Sequence, residues 1–249
     1  MIIGVNKFLK KIHIIIIIGI IAGLTISNIT FGREVLPNLK TSGKNIEDFI
    51  PKGWVVEDKA YGDLNNDTLK DWALVIQDTN KKNYTTNNNL EHSINANPRI
   101  LIILFNDPVK NIFVSAEKNY ASIIKHNNFT IDDPFDEVSI LSNGILKIDF
   151  HFLGGGSSRL NQSFKFCYQN KRFELIGIDK QIIESGSGDI TNYSFNFITY
   201  KMKLTKGNIS RDKPDSIEWK KFKVKEKMTL DLILDPFSSK LWDKIIIQP

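Results

Sequence analysis

From Val138 to Phe152 the chain alternates apolar and polar side chains on either side of Ser142-Asn143-Gly144. Leu146, Ile148, Phe150 and Phe152 fall on one face of the second run, and Lys147, Asp149 and His151 fall on the other. Successive side chains of a strand point to opposite faces, so this pattern buries one side of an antiparallel sheet and leaves the other wet. Asn-Gly tolerates the positive φ angles of a tight turn and is the strongest short-range hairpin signal. On a helix of 3.6 residues per turn, the same four apolar residues would be scattered around the girth.

The same grammar recurs along the chain. Phe164 to Tyr168 and Arg172 to Ile178 flank Gln169-Asn170-Lys171 as a second hairpin, and Tyr193, Phe195 and Phe197 alternate with polar residues. Tyr200 to Leu204 continues in strand style. Phe222 and Val224 alternate with Lys221, Lys223 and Lys225, an amphipathic strand with a solvated lysine face. Trp54-Val55-Val56, Trp72 to Ile76 and Ile100 to Phe105 read as apolar strands, the second buried on both faces. Met228 to Leu234 and Leu241 to Ile247 are candidates to close a sheet. Helical signals are few. Asn45 can cap a short turn over residues 46–50, stopped by Pro51, and Val109 to His126 reads as strand at its start and as either strand or short helix from Ala116 to Lys125. The Asn-rich stretch Asp78 to Arg99 is long for a connection in a compact domain, which makes it mobile or functional. The expectation is one mainly-β domain over residues 45–249, built of antiparallel sheets in a sandwich-like or open arrangement with one or two short helices.

Of the 249 residues, 41% are hydrophobic and 10% aromatic, enough for a packed core and too many for a disordered chain. The formal charge of +5 includes Lys7, Lys10 and Lys11 in residues 1–32, a segment with no acid. The rest is too nearly neutral for overall charge to argue for nucleic acid, and no nucleic-acid partner is expected. The three lysines precede an apolar run from Ile12 to Ile21 with small residues beyond it, as in a secretory signal peptide or an uncleaved membrane anchor. Either way the remainder is exported, through a polar linker at residues 33–44. Cys167 is the single cysteine, so no internal disulfide is possible, and its place in an apparent strand suits a small buried hydrophobe.

One loop carries chemical specificity. Asp63, Asn65, Asp67 and Asp71 stand at alternate positions around Leu69 and run directly into the Trp72 to Ile76 strand. Calcium takes six to eight oxygens, and alternate side chains with the Leu69 backbone carbonyl supply most of such a set. The stretch resembles the calcium loops of FG-GAP and VCBS repeats, whose pattern is Asp-x-Asn-x-Asp-Gly-x-x-Asp. Residues 46–206 are also similar to a group of exported bacterial proteins carrying a single such loop. The shared stretches are Ile50-Pro51-Lys52-Gly53-Trp54, Asp133-Pro134-Phe135, Gly155-Gly156-Ser157 and Arg172-Phe173-Glu174-Leu175-Ile176-Gly177. That group has no assigned activity, so the resemblance implies a fold, a calcium ion and a location outside the cytoplasm rather than a reaction. Thr68 departs from the pattern, which has Gly there for a backbone of positive φ.

Other chemistries are poorly represented. His13, His92, His126 and His151 are the only histidines and lack zinc-ligand spacing. The stretch Gly154-Gly155-Gly156-Ser157-Ser158 beside His151 has neither the Gly-x-Ser-x-Gly elbow nor the Gly-Lys-Ser/Thr of a phosphate loop. Asp132, Asp133, Asp136 and Glu137 read as a solvated turn around Pro134. The lead expectation is a calcium-stabilised binding module whose partner is a protein or an envelope polymer. The alternatives are a hydrolase of an envelope polymer and an immunity protein against an exported toxin. No residue is assigned a catalytic role, and membrane contact is expected only through residues 1–32.

Overall fold

Hairpin turns and alternating strands dominate the computed structural model, which describes residues 36–86, 93–123, 126, 132–153, 158–233 and 239–248. Residues 1–32, expected to be a signal peptide or anchor, Asn87 to Asn89 and residues 154–157 lie outside the described residues. Among these the strands are β1 (Ser42–Gly43), β2 (Trp54–Gly62), β3 (Asp71–Asp78), β4 (Tyr84–Thr86), β5 (Ser93–Asn95), β6 (Arg99–Asp107), β7 (Ile112–Asn119) and β8 (Phe135–Ile140). They continue as β9 (Ile145–Leu153), β10 (Ser158–Gln169), β11 (Arg172–Glu184), β12 (Asp189–Asn196), β13 (Lys201–Asn208), β14 (Ser216–Val224) and β15 (Ile245–Ile247). All pair antiparallel, in a five-stranded sheet of order β1-β7-β6-β3-β2, an eight-stranded sheet running β15 to β8 in reverse chain order, and the β4–β5 pair. The fold is mainly β and includes a half-barrel.

Both expected hairpins form. At the first, Ile140 pairs with Leu146, and Gly144 takes φ +72°. At the second, Gln169 pairs with Arg172, so the turn is only Asn170-Lys171, both with φ near +55°. That is the two-residue turn whose twist matches the flanking strands.

The five-stranded sheet is buried on both sides. Ala73, Val75, Leu101 and Ile103 point into the main core, where they meet Phe135, Ile148, Phe164, Ile178 and other inner residues of the large sheet. On the opposite face Leu74, Ile76, Ile100, Ile102 and Leu104 pack with Leu39 and Phe49, which sits on a 3₁₀ turn over Ile46–Phe49. Each fully buried Leu, Ile or Phe contributes about 1.5–3 kcal/mol, so the small turn is held by its apolar contacts as much as by its cap. Asp48 closes that cap by accepting from the backbone N–H of Asn45 (3.1 Å) and Lys44 (2.9 Å).

Two stretches that the sequence left open take definite form among the described residues. Ala116 to Asn119 continue β7 as strand and do not turn helical, because their backbone pairs with β6 from Leu101 to Leu104. The Asn-rich stretch is built in part, with a 3₁₀ turn at Lys81–Asn83 and the β4–β5 hairpin. Asparagine amides hold it: Asn83 Nδ2 donates to Asn97 (2.8 Å), Asn97 Nδ2 to Asn95 (2.7 Å), and Asn95 Nδ2 to Gln77 on β3 (2.9 Å). Toward the C-terminus β15 closes the sheet as expected, but Leu230–Leu232 form a 3₁₀ turn and Ser239–Trp242 a single helical turn. Buried Met228, Leu230 and Leu241 join the main core. Among the described residues no helix is long and apolar enough to cross a membrane.

Candidate functional site

The acidic loop joins β2 to β3 and is wound on its own side chains. Asp63 accepts from the backbone N–H groups of Asp67 (3.2 Å) and Thr68 (2.9 Å). Asn65 accepts from Asp67 N–H (3.1 Å), and Asp67 accepts from Leu69 N–H (2.8 Å) and from the Asn65 amide (2.9 Å). Asp71 is fully buried, with its two oxygens accepting from Leu64 N–H (2.9 Å) and Asn106 N–H (3.0 Å). Leu64 plugs the main core beneath. Thr68 adopts φ +73°, so the loop makes the turn that glycine makes in the resembling pattern, with a β-branched side chain in a conformation costing about 1–2 kcal/mol. A second turn braces the loop from the side: a Cβ on Gly144 would lie 2.8 Å from the Asp63 carbonyl oxygen.

The donor set suits a hard cation, being oxygen throughout. Burial pushes the Asp71 carboxyl up, the N–H groups of Leu64 and Asn106 pull it back, and the charges of Asp67 and Asp63 push it up again. Three acids are thus close enough to repel, a strain that a cation would relieve. Against this, the acid oxygens already accept backbone N–H groups. Among the described residues no three His, Cys, Asp or Glu side chains stand in a ligating arrangement. A calcium ion would therefore use the remaining lone pairs of Asp63, Asn65, Asp67 and Asp71, with the carbonyl of half-buried Leu69.

The second acidic cluster is not simply a solvated turn. Asp133 accepts from Arg99 Nη1 (2.9 Å) and Nη2, while Glu57 accepts from Arg99 Nε (2.7 Å) and Nη2 (2.6 Å). The Arg99 side chain is 1% exposed and its guanidinium lies 5.5 Å from the Phe135 ring centre. Burial alone would push the guanidinium down; Glu57 and Asp133 outweigh it and hold it above its ordinary value. The clamp joins β6 and β2 of the smaller sheet to the strand entry of β8 in the larger. Bulges at Glu57 in β2 and Asp136 in β8 flank it, Asp58 accepts from Val138 N–H (2.7 Å), and Gly62 leaves room for Ile140. Sequence reading missed Glu57 and Arg99. The signal was a lone arginine abutting the apolar run Ile100 to Leu104, where an unpaired cation would be costly.

His151 and Asp149 share the outer face of the large sheet. Asp149 is held by Lys147 (2.7 Å) and by the Ser163 hydroxyl, and His151 stands across from Asn161. Cys167 is half-buried rather than fully buried, and burial, followed by the charge of Glu174, pushes its thiol up. A thiol so shifted is a poor nucleophile.

A cleft opens on the same outer face over β12, β13 and β14, lined by Asn196, Thr199, Lys201, Lys203, Trp219 and Lys221 among others. Register explains it: Lys201 pairs with Lys221, and Lys203 with Trp219. Trp219 is 65% exposed, with the Lys203 ammonium 5.9 Å from its ring centre. Among the described residues Lys201, Lys203 and Lys221 have no carboxylate partner. Asp179 on β11 is held by Lys165 and Ser194, each at 2.5 Å. The lysine alternation at the end of β14 was legible; its alignment with Lys201 and Lys203 required the register.

No protein-family model, no curated protein and no solved structure matches the chain.

Proposed function

We infer that this is an exported, non-enzymatic binding domain that holds an anionic envelope polymer in the cleft over β12 to β14, with calcium bracing the loop from Asp63 to Asp71. The observation that carries the reading is the set of three lysines, without acid partners among the described residues, around an exposed tryptophan. Like charges brought together by sheet register repel unless an anion lies among them, and a flat indole adds a face for a sugar ring or a cation. The modest overall charge confines this attraction to one face and argues against general nucleic-acid binding. The N-terminal segment supports an address outside the cytoplasm.

Titration calorimetry with poly(glycerol phosphate) tests this. Three neutralised phosphates predict roughly a tenfold or greater loss of affinity between 50 and 200 mM salt. Lys201→Glu combined with Lys203→Glu should abolish binding at unchanged Tm. Binding that survives the double variant, or that ignores salt, removes the cleft from consideration.

A further inference from the structure

The inner face of the large sheet carries one residue that its surroundings do not explain. Lys180 on β11 lies in a cross-strand row formed by Phe150, Gln162, Lys180, Tyr193 and Leu204. Phe150, Gln162 and Leu204 are each 2% exposed, and Lys180 is 7% exposed. The same face continues inward through Phe164, Ile178 and Phe195, all in the main core. Among the described residues the Lys180 ammonium has no hydrogen-bond acceptor and no carboxylate. It lies over the Trp242 indole, with the ring centre 5.1 Å away. Burial pushes the lysine down, and no compensating group pulls it back. An apolar residue would fit this position more cheaply, and two buried polar side chains, Gln162 and Lys180, side by side on an apolar face are characteristic of a binding site.

The next row outward supplies the rest of such a site. Leu160, Ile182 and Thr191 follow Gln162, Lys180 and Tyr193 at strand spacing, about 7 Å further along. Leu160 and Ile182 are half-buried and belong to neither hydrophobic cluster. Two half-buried apolar side chains thus adjoin a buried cation that has no ion-pair partner among the described residues, with the half-buried Tyr193 at the junction. A single ammonium beside a phenol matches a head group of one negative charge, and the apolar pair matches a hydrocarbon tail.

We propose that the inner face around Lys180 binds a long-chain carboxylate, its head group on Lys180 and its tail along Leu160 and Ile182. This site is on the face opposite the lysine cleft and is independent of it. The experiment uses the full chain and a dansyl-labelled undecanoate, read by fluorescence enhancement and displacement. The expected result is saturable enhancement, reversed by oleate and not by oleyl alcohol. Lys180→Met should lose at least tenfold in affinity for the probe while melting at or above the wild-type temperature, because it removes an unpaired buried charge. Ile182→Glu should weaken binding as well, and Lys201→Glu with Lys203→Glu should leave it unchanged. Absence of enhancement, equal displacement by oleyl alcohol, or undiminished affinity in Lys180→Met would each overturn the proposal.

Discussion

Replacing Arg99 by Met keeps the stem of the side chain and deletes the guanidinium held between Glu57 and Asp133. Removing one member of a buried ion pair costs about 3–5 kcal/mol when the charges left behind stay buried. Here the Glu57 and Asp133 side chains are 25% and 36% exposed, so water reaches both carboxylates once the arginine is gone. The expected loss is therefore at the lower end, about 3 kcal/mol. In a domain of roughly 200 residues each kcal/mol moves Tm by about 2–4 °C, which places the variant about 6–12 °C below wild type. Urea unfolding followed by tryptophan fluorescence, beside a thermal scan, measures both quantities. Arg99→Lys is the informative companion: it keeps the charge but not the planar fork that reaches two carboxylates at once, and should lose about 1–2 kcal/mol. A loss below about 1 kcal/mol in Arg99→Met, or a lysine variant as stable as wild type, would refute the claim that this fork holds the sheets together.

Millimolar calcium should raise Tm, and Asp63→Ala with Asp67→Ala should remove the increment; at tenfold excess over Kd it amounts to about 1.4 kcal/mol. Thr68→Gly should stabilise the protein by about 1 kcal/mol even without calcium, by relieving the φ of +73°, and a Tm equal to or below wild type would contradict that reading. Glu174 is held below its ordinary value by Asn170, with Lys227 and Gln169 adding to the effect against burial. A depressed carboxylate stabilises above its unfolded pKa and loses that contribution as pH falls through the folded one. The Tm gap between wild type and Glu174→Gln should thus be constant above about pH 6 and close on acidification below about pH 4. A gap that widens in acid would mean the sign is wrong.

Strand identity was legible wherever alternation was long, as at Leu146 to Phe152, because one face of the sheet had to be apolar. Val109 to His126 was ambiguous for a physical reason: β7 is half-buried along most of its length, so its side chains show no clean period. Local turns were legible at Asn143-Gly144. They were less so at Asn170-Lys171, where a lysine occupies a left-handed position that the flanking strands impose. The acidic loop was visible because its alternating Asp and Asn residues are contiguous. The clamp around Arg99 was not, since its partners lie 42 and 34 residues away and only the packing of two sheets brings them together. Similarly, Lys180 lies beyond the strand read from sequence, which stops at Ile178, whereas β11 runs on to Glu184. Its neighbours across β10 and β12 show that it faces inward.

The eight-stranded sheet is a meander in which every strand pairs with the next, across short connections from β8 to β14 and across residues 225–244 for β15. Such a sheet can zip from its turns with little loop entropy to overcome before contacts form. The Arg99 clamp has the opposite character, because it needs both sheets in place before its three charges meet. It is therefore expected to form late, after the folding barrier. Its loss should therefore leave the folding rate nearly unchanged and appear as faster unfolding. The protein's lifetime against opening, more than its ability to fold, rests on one buried guanidinium.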